Sequence, residues 1–514
     1  MLIISTNKNG HIPELCSPTR SLSLAAREKA AGELVFVEKD DNAAIKRLKE
    51  EAEKYDERRR VLAEASEQVR AGEQGSGISG GGRLECYLVL NDPTSLWLLQ
   101  TVGLPKDIEE KVDVFATTME DLLAKTVFVK LPDLPSGFPS LDREPISRDC
   151  ETTVHLVIVG FSDQAEALAL NAALVAHYPN YCKDTRLRTR ITIIDDNVFD
   201  GRDRLTQRYV HLFENSYYRT LNLNDTNPQC KLHKPIYEKE NRKDFVDVEW
   251  EFVNGNIRND AVRQKLEEWS ADDRQQLTIA VCHPDQDRNF SESFGLPQAI
   301  YKNEIPVLCH TEENDMINVI QNGETYKCIY PFGKECCDIN TLRTLKRLAQ
   351  RVNYVYNHCF SLASGDPITA PSSIDEKVLE EQWKKVGSLP KQYSNIFNAM
   401  TLGTKMHSIG HTSDDWKAYY ALTMEEINIL TEVEHNRWSV EELILGYRPC
   451  NDEEKEMVDQ DIAQKKILRN TKKVHYDLRA FDDLRADSTG KNVNVYDMAL
   501  TQGIPLIIKS CITD

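Results

Sequence analysis

The stretch VHLVIVGFSDQAEALALNAALVAHYPN, residues 154–180, holds two patterns back to back. VHLVIV has the length and β-branched content of a buried strand, and the alanine- and leucine-rich run after Asp163 has helical spacing. Gly160 stands at the junction, where a residue without a Cβ permits a tight turn. Strand, glycine turn and helix in that order open a nucleotide-binding α/β unit, in which the first N–H groups of the helix face a pyrophosphate. Of the spacing G-x-G-x-x-G only the first glycine is present, because Ser162 and Ala165 occupy the second and third positions. Alanine is accepted at the third. Ser162 sets a side chain where phosphate contact needs bare backbone, and Phe161 crowds the turn.

Outward from this unit, apolar runs recur downstream at 190–195 (RITIID), 246–253, 277–282, 305–310 and 326–332, with helical patterns between most of them. Alternation of this kind predicts a doubly wound parallel sheet covered on both faces. RITIID ends in Asp195-Asp196, where an acid can accept a hydrogen bond from a ribose hydroxyl. The polar segment 198–244 does not fit the alternation and reads as a lid or a dimer contact. Upstream, LIIS, LVFV, CYLVL and VDVFA, within residues 2–116, predict a first parallel sheet with Asn7, Asn9, Gly10 and Glu38 after its strands. Residues 42–71 form a charged helical pattern, and GEQGSGISGGGR at 72–83 reads as a flexible linker. Proline-rich 132–145 and Ser/Pro/Gly-rich 361–375 mark boundaries, and after the second the strand signals largely cease. The expected architecture is α/β: two Rossmann-like doubly wound parallel-sheet domains (1–135 and 146–360), followed by a mostly α-helical domain (375–514).

Composition limits what these domains do. The 514 residues suit about three domains. Sixty-three basic against 82 acidic side chains leave a net charge of −19, which argues against nucleic acid as a partner. Thirteen cysteines with no C-x-x-C pair, Cys336 and Cys337 adjacent, suit neither a disulfide framework nor a metal set. No apolar run approaches the ~20 residues of a membrane span, so no membrane insertion and a cytoplasmic protein are expected.

His283-Pro284-Asp285 falls at the carboxyl end of the 277–282 strand, and His310 ends the next. Both lie where open α/β sheets bind ligands, although no H-E-x-x-H, G-x-S-x-G or G-x-x-x-x-G-K-[ST] motif accompanies them. In EVEHNRWSVEELILGYRP, residues 432–449, Val433, Trp438, Leu443 or Ile444, and Tyr447 space as a core face. Glu434, His435, Arg437, Glu441 and Glu442 read as its polar face, with Gly446 as terminator.

The run Glu434-His435-Asn436-Arg437-Trp438, with Glu442, Gly446-Tyr447 and KKVHYDLRAFDDL at 472–484, resembles the RyR domain, the repeat named for ryanodine receptors and also found in bacterial proteins. Trp383, Asn395, Lys405 and Gly410 resemble that module's leading helices in bacteria. The segment from Val154 resembles a TrkA-N domain, the NAD-binding unit of potassium-uptake regulators, and bacterial proteins join such units to a C-terminal RyR domain. LNDPTSLWLL at 90–99 is similar to the segment that precedes the second unit in that arrangement. The resemblance implies an NAD-binding regulatory protein, and a loop that keeps only Gly160 adds another adenine nucleotide or a nucleotide second messenger as expected ligands. The binding residues would be Gly160, Phe161, Ser162, Asp163, Asp195, Asp196 and His283, with no catalytic residue and no metal. It also implies a second ligand or protein-partner site at Glu434, His435, Arg437, Trp438 and Tyr447, while two Rossmann-like halves in one chain suggest either an internal pseudo-dimer or a homodimer, the latter being the expectation. A nucleotide- or NAD-processing enzyme using His283, Asp285 or His310 is the alternative from a different class, and a protein-binding scaffold is a third.

Overall fold

Strand-forming and helical runs alternate along the first two thirds of the chain and assemble two sheets. The computed structural model describes residues 2–5, 33–37, 40–54, 83–134, 136–225, 227–240, 242–312, 324–361, 369–412, 415–485, 494–509 and 511. Asn7, Asn9, Gly10 and Glu38 lie outside the described residues, as do the glycine-rich 72–82 and most of the charged helix expected over 42–71.

In the first sheet β1 (Leu2–Ser5), β2 (Glu33–Val37), β3 (Leu84–Leu90) and β4 (Val112–Thr118) pair in parallel in that order. Its helices α1 (Asp41–Glu53), α2 (Pro93–Val102) and α3 (Met119–Phe128) start on Asp40, Asp92 and Thr118, each accepting a backbone N–H of the first turn. Each strand is laid beside its predecessor without reversal. Among the described strands the first sheet therefore has no switch point, which corrects the doubly wound arrangement expected for 1–135.

The second sheet does reverse. It contains β5 (Thr153–Val159), β6 (Thr189–Asp195), β7 (Tyr218–Asn222), β8 (Cys230–His233), β9 (Val248–Asn254), β10 (Gln275–Val281), β11 (Val307–His310) and β12 (Ile329–Phe332), in the order β12-β11-β10-β5-β6-β9-β7-β8. With β7 and β8 set aside, the order is that of a Rossmann sheet, 3-2-1-4-5-6, with the switch between β5 and β10. All pairings are parallel except β7 with β8. Alternate residues of β5 enter different cores, Leu156 and Ile158 one and Val157 and Val159 the other, as expected of a strand covered on both faces. After β5 comes α4 (Asp163–Val175). The segment 198–244 contributes α5 (Val198–Arg208) and α6 (Val210–Asn215), and its strands β7 and β8 lengthen the sheet beyond β9. Helices α7 (Asp260–Ser270) and α8 (Gln286–Phe294) connect the later strands.

The remainder is helical: α9 (Ile339–Ser361), α10 (Leu389–Met400), α11 (Met424–Ile444) and α12 (Asn494–Gln502), with one parallel bridge of the two-residue strands Arg448–Pro449 and Val474–His475. The three regions share one continuous apolar core that includes Phe115, Leu156 and Phe397. Asp113 on β4 shows how closely they join: it forms an ion pair with Lys346 Nζ of α9 at 2.7 Å and accepts from Trp383 Nε1 at 3.0 Å. Burial alone would raise this carboxyl, but Lys346 and Arg83 hold it below the usual range. Tyr393 of α10 accepts the Ala116 N–H at 3.0 Å. The first sheet and the helical region are thus tied by buried polar contacts as well as by apolar packing.

Candidate functional site at the switch point

Gly160 ends β5 with φ +93°, a conformation that L side chains rarely adopt. A Cβ there would lie 2.6 Å from the His283 backbone nitrogen, so glycine is also required by the close approach of the β10 exit. The two strand ends are locked together: Gly160 N–H donates to Ile194 O at 2.8 Å, and Cys282 N–H donates to Val159 O at 2.7 Å.

The residues that follow turn inward. Phe161 N–H donates to Asp195 Oδ2 at 3.1 Å, and its ring lies so close to Gly201 of α5 that no side chain fits there. Ser162 Oγ accepts Ala165 N–H at 3.3 Å as the cap of α4 and donates to Cys282 O at 2.6 Å. The serine side chain therefore joins the start of α4 to the β10 exit. The first turn of α4 carries Asp163 and Glu166, which already answer the helix dipole and would repel a pyrophosphate placed there. Burial raises the Glu166 carboxyl despite its pairing with Arg208 and its proximity to Arg204.

Asp195 accepts from Phe161 and, at 2.8 Å, from Asn197 N–H, so its oxygens organise the turn. Asp196 is exposed, accepting from Arg288 Nη2 at 3.0 Å and from Asn256 Nδ2 at 3.0 Å. Arg288 Nε then donates to Glu292 Oε1 at 2.7 Å, and Glu292 Oε2 meets His283 Nε2 at 2.7 Å. His283 Nδ1 stands 3.8 Å from Asp195, closing the circuit across the switch point. Burial pushes the Glu292 carboxyl up, but hydrogen bonds from His283 and Arg288 bring it below the usual range. Asn289 ties the neighbouring strand exit by donating to His283 O at 2.9 Å and His310 O at 3.0 Å.

All seven residues expected around a nucleotide, Gly160, Phe161, Ser162, Asp163, Asp195, Asp196 and His283, gather at this crevice, in different roles. Asp196 is the more exposed of the two acids. His283 is buried with both ring nitrogens facing carboxylates, Asp285 caps α8, and half-buried His310 packs on Phe332, burial lowering its pKa. Arg288, Asn289, Glu292 and Asn256 were not anticipated. Their signal is the helical spacing of Arg288 and Glu292 one turn apart on the element that leaves β10.

The five residues expected to form a site in the helical region do not share an open surface. Glu434, His435 and Arg437 are buried on α11, which corrects the solvated polar face read from periodicity. Glu434 accepts from Arg437 Nη2 at 2.8 Å and Asn398 Nδ2 at 2.7 Å and forms an ion pair with Lys405 Nζ at 2.7 Å, while Arg437 also pairs with Glu441. Burial opposes the Glu434 charge, but Arg437 and Lys405 bring its pKa down to about 2. His435 Nε2 meets Arg479 O at 2.8 Å. Trp438 and Tyr447 are half-buried, both stacking edge-on against His475.

Among the described residues no group of three or more His, Cys, Asp or Glu is placed to hold a metal ion, and no helix is long and apolar enough to cross a membrane. Comparisons with protein-family models, curated proteins and solved structures give no match to this chain.

Proposed function

We propose that this chain is a non-catalytic regulatory protein, whose second sheet takes a nucleotide-type ligand at the switch point and whose helical region responds to it. In this reading residues 146–360 are a TrkA-N-like unit and 375–514 a RyR-like module, on the strength of the Gly160 turn and the EHNRW run. The observation that carries the proposal is the position of α4. Its amino end lies at the switch point, and its length is buried against α3, α10 and α11, so one helix would link a ligand bound there to both other regions. Asn171 of α4 donates to Asp121 of α3 at 3.1 Å, and Gln164 donates to Glu120 O at 3.2 Å. The ligand's ribose hydroxyl would bond Asp196, displacing Arg288 toward a phosphate, because that exposed ion pair costs little to exchange. A ligand shifts the protein between arrangements only through such differential contacts.

The test is thermal unfolding of the full chain against a panel of NAD, adenine nucleotides and cyclic dinucleotides. A ligand at one hundred times its dissociation constant adds about 2.7 kcal/mol of stability. One member of the panel raises the midpoint, and Asp196→Ala or Arg288→Ala removes the rise. Stabilisation by none of them defeats the proposal, and product formation lost on His283→Ala replaces it with an enzyme.

A further inference from the structure

The amino-terminal ends of β6, β7 and β9, at the edge of the sheet opposite Gly160, line a cavity of about 520 Å³. Five arginines reach it, Arg186, Arg188, Arg190, Arg219 and Arg242, against three carboxylates, Glu238, Asp244 and Glu249. Such a cluster of guanidiniums stands out in a chain of net charge −19. The volume lies within the range of small-molecule sites.

The arginines divide into a fixed floor and an adaptable rim. Parallel register places Arg190 opposite Glu249, and Glu249 holds both Arg190 Nε at 2.7 Å and Arg219 through two bonds of 3.0 Å. Arg188 is 9% exposed, pairs with Asp244 and lies 4.4 Å from the Tyr217 ring centroid. Its buried Nε has no hydrogen-bond partner among the described residues, and an orphaned guanidinium N–H is costly unless an acceptor reaches it. At the rim, Arg186 pairs with Asp184, and Arg242 with Glu240 and exposed Asp452, partners that a stronger acceptor can replace.

We infer that this cavity is an anion site for a small oligophosphate, separate from the switch-point crevice. Arg188 Nε and the guanidiniums of Arg186 and Arg242 are its donors, because planar forks match phosphate oxygens. Tyr217 and Tyr237 supply the walls. Arg242 also donates to Cys450 O at 2.6 Å in the helical region. A phosphate that recruits Arg242 thereby loosens the contact between segment 198–244 and residues 450–452.

Isothermal titration of the full chain with inorganic tripolyphosphate, ATP and adenosine tests this. Leu232→Glu adds a carboxylate at the mouth of the cavity without removing an ion pair, since Leu232 lines the cavity and is 45% exposed. Tripolyphosphate binds the wild type, and Leu232→Glu and Arg186→Glu each weaken it by about tenfold or more, Leu232→Glu with its unliganded thermal midpoint unchanged. Adenosine does not bind at this cavity. ATP binding that is tighter than tripolyphosphate and equally sensitive to Leu232→Glu identifies a nucleotide as the source of the phosphates, and equal or weaker binding an inorganic chain. Asp196→Ala leaves tripolyphosphate affinity intact, which separates this site from the switch point. The inference is overturned if millimolar tripolyphosphate does not bind, if Leu232→Glu binds as the wild type does, or if the affinity disappears in Asp196→Ala instead.

Discussion

Two polar networks in this molecule are built from the same residue types and differ in burial. Glu434, Arg437 and Glu441 of α11 form with Lys405, from the helix Leu402–Ser408, a network sealed from solvent, each member no more than 2% exposed. At the switch point Asp196, Arg288, Glu292 and His283 form a chain whose inner end is buried and whose outer end is open. Taking charges out of water is expensive, so the first network holds only while every member has its partner. The outer pair of the second sits in water and can exchange partners at little cost. Burial, not the identity of the residues, separates a structural ion network from one that can respond to a ligand.

That contrast can be broken by substitution. Arg437→Met strands Glu434 and Glu441 and should destabilise the chain by about 3–5 kcal/mol in denaturant titrations, and a loss below about 1 kcal/mol would place the network in the solvated class. Glu442, one residue from that network, gives a pH test. Burial raises its carboxyl to about 7, with Arg469 opposing and Glu441 adding to the shift. Its folded pKa is then above its unfolded value, so the folded state binds more protons between the two values and stability falls as pH rises through that window. Glu442→Gln removes this slope and is more stable than the wild type on the alkaline side of 7 by up to about 3 kcal/mol. Parallel stability curves for the two proteins would contradict this.

Gly160→Ala probes the junction that both strand ends share. A Cβ at φ +93° meets the His283 backbone, so a loss of about 1–3 kcal/mol is expected in thermal unfolding. The smallest effect belongs to Asp196→Ala, which opens only an exposed pair and should cost less than about 1 kcal/mol. A larger cost would make Asp196 a structural residue and sharpen the comparison against the proposed ribose contact.

Much of the second sheet was legible in the sequence. The runs at 154–159, 190–195, 277–282 and 305–310 each carry a strand, and Gly160 adopts the positive φ that a glycine at that junction suggests. The strand pairing of 198–244 was not legible, because Tyr218–Asn222 is short and polar and its place beside β9 depends on a non-sequential neighbour. The order of the first sheet was equally hidden, since alternation of strands and helices does not say whether the winding reverses. EHNRW misled for a different reason. Periodicity assigns polar residues to solvent, whereas the partners that allow Glu434 and Arg437 to be buried, Lys405 and Asn398, lie about thirty residues away in sequence. At the crevice the cluster was found, but the split between Asp195 as turn organiser and Asp196 as open acceptor required geometry.

The central claim is that occupancy of the crevice is felt along α4 into the helical region. Hydrogen–deuterium exchange of the full chain, with and without the stabilising nucleotide, measures this directly. The account predicts altered protection both at the start of Asp163–Val175 and along Met424–Ile444, and both changes lost in Asp196→Ala. Protection confined to the strand ends around Gly160, with Met424–Ile444 unchanged while ligand is bound, would contradict it.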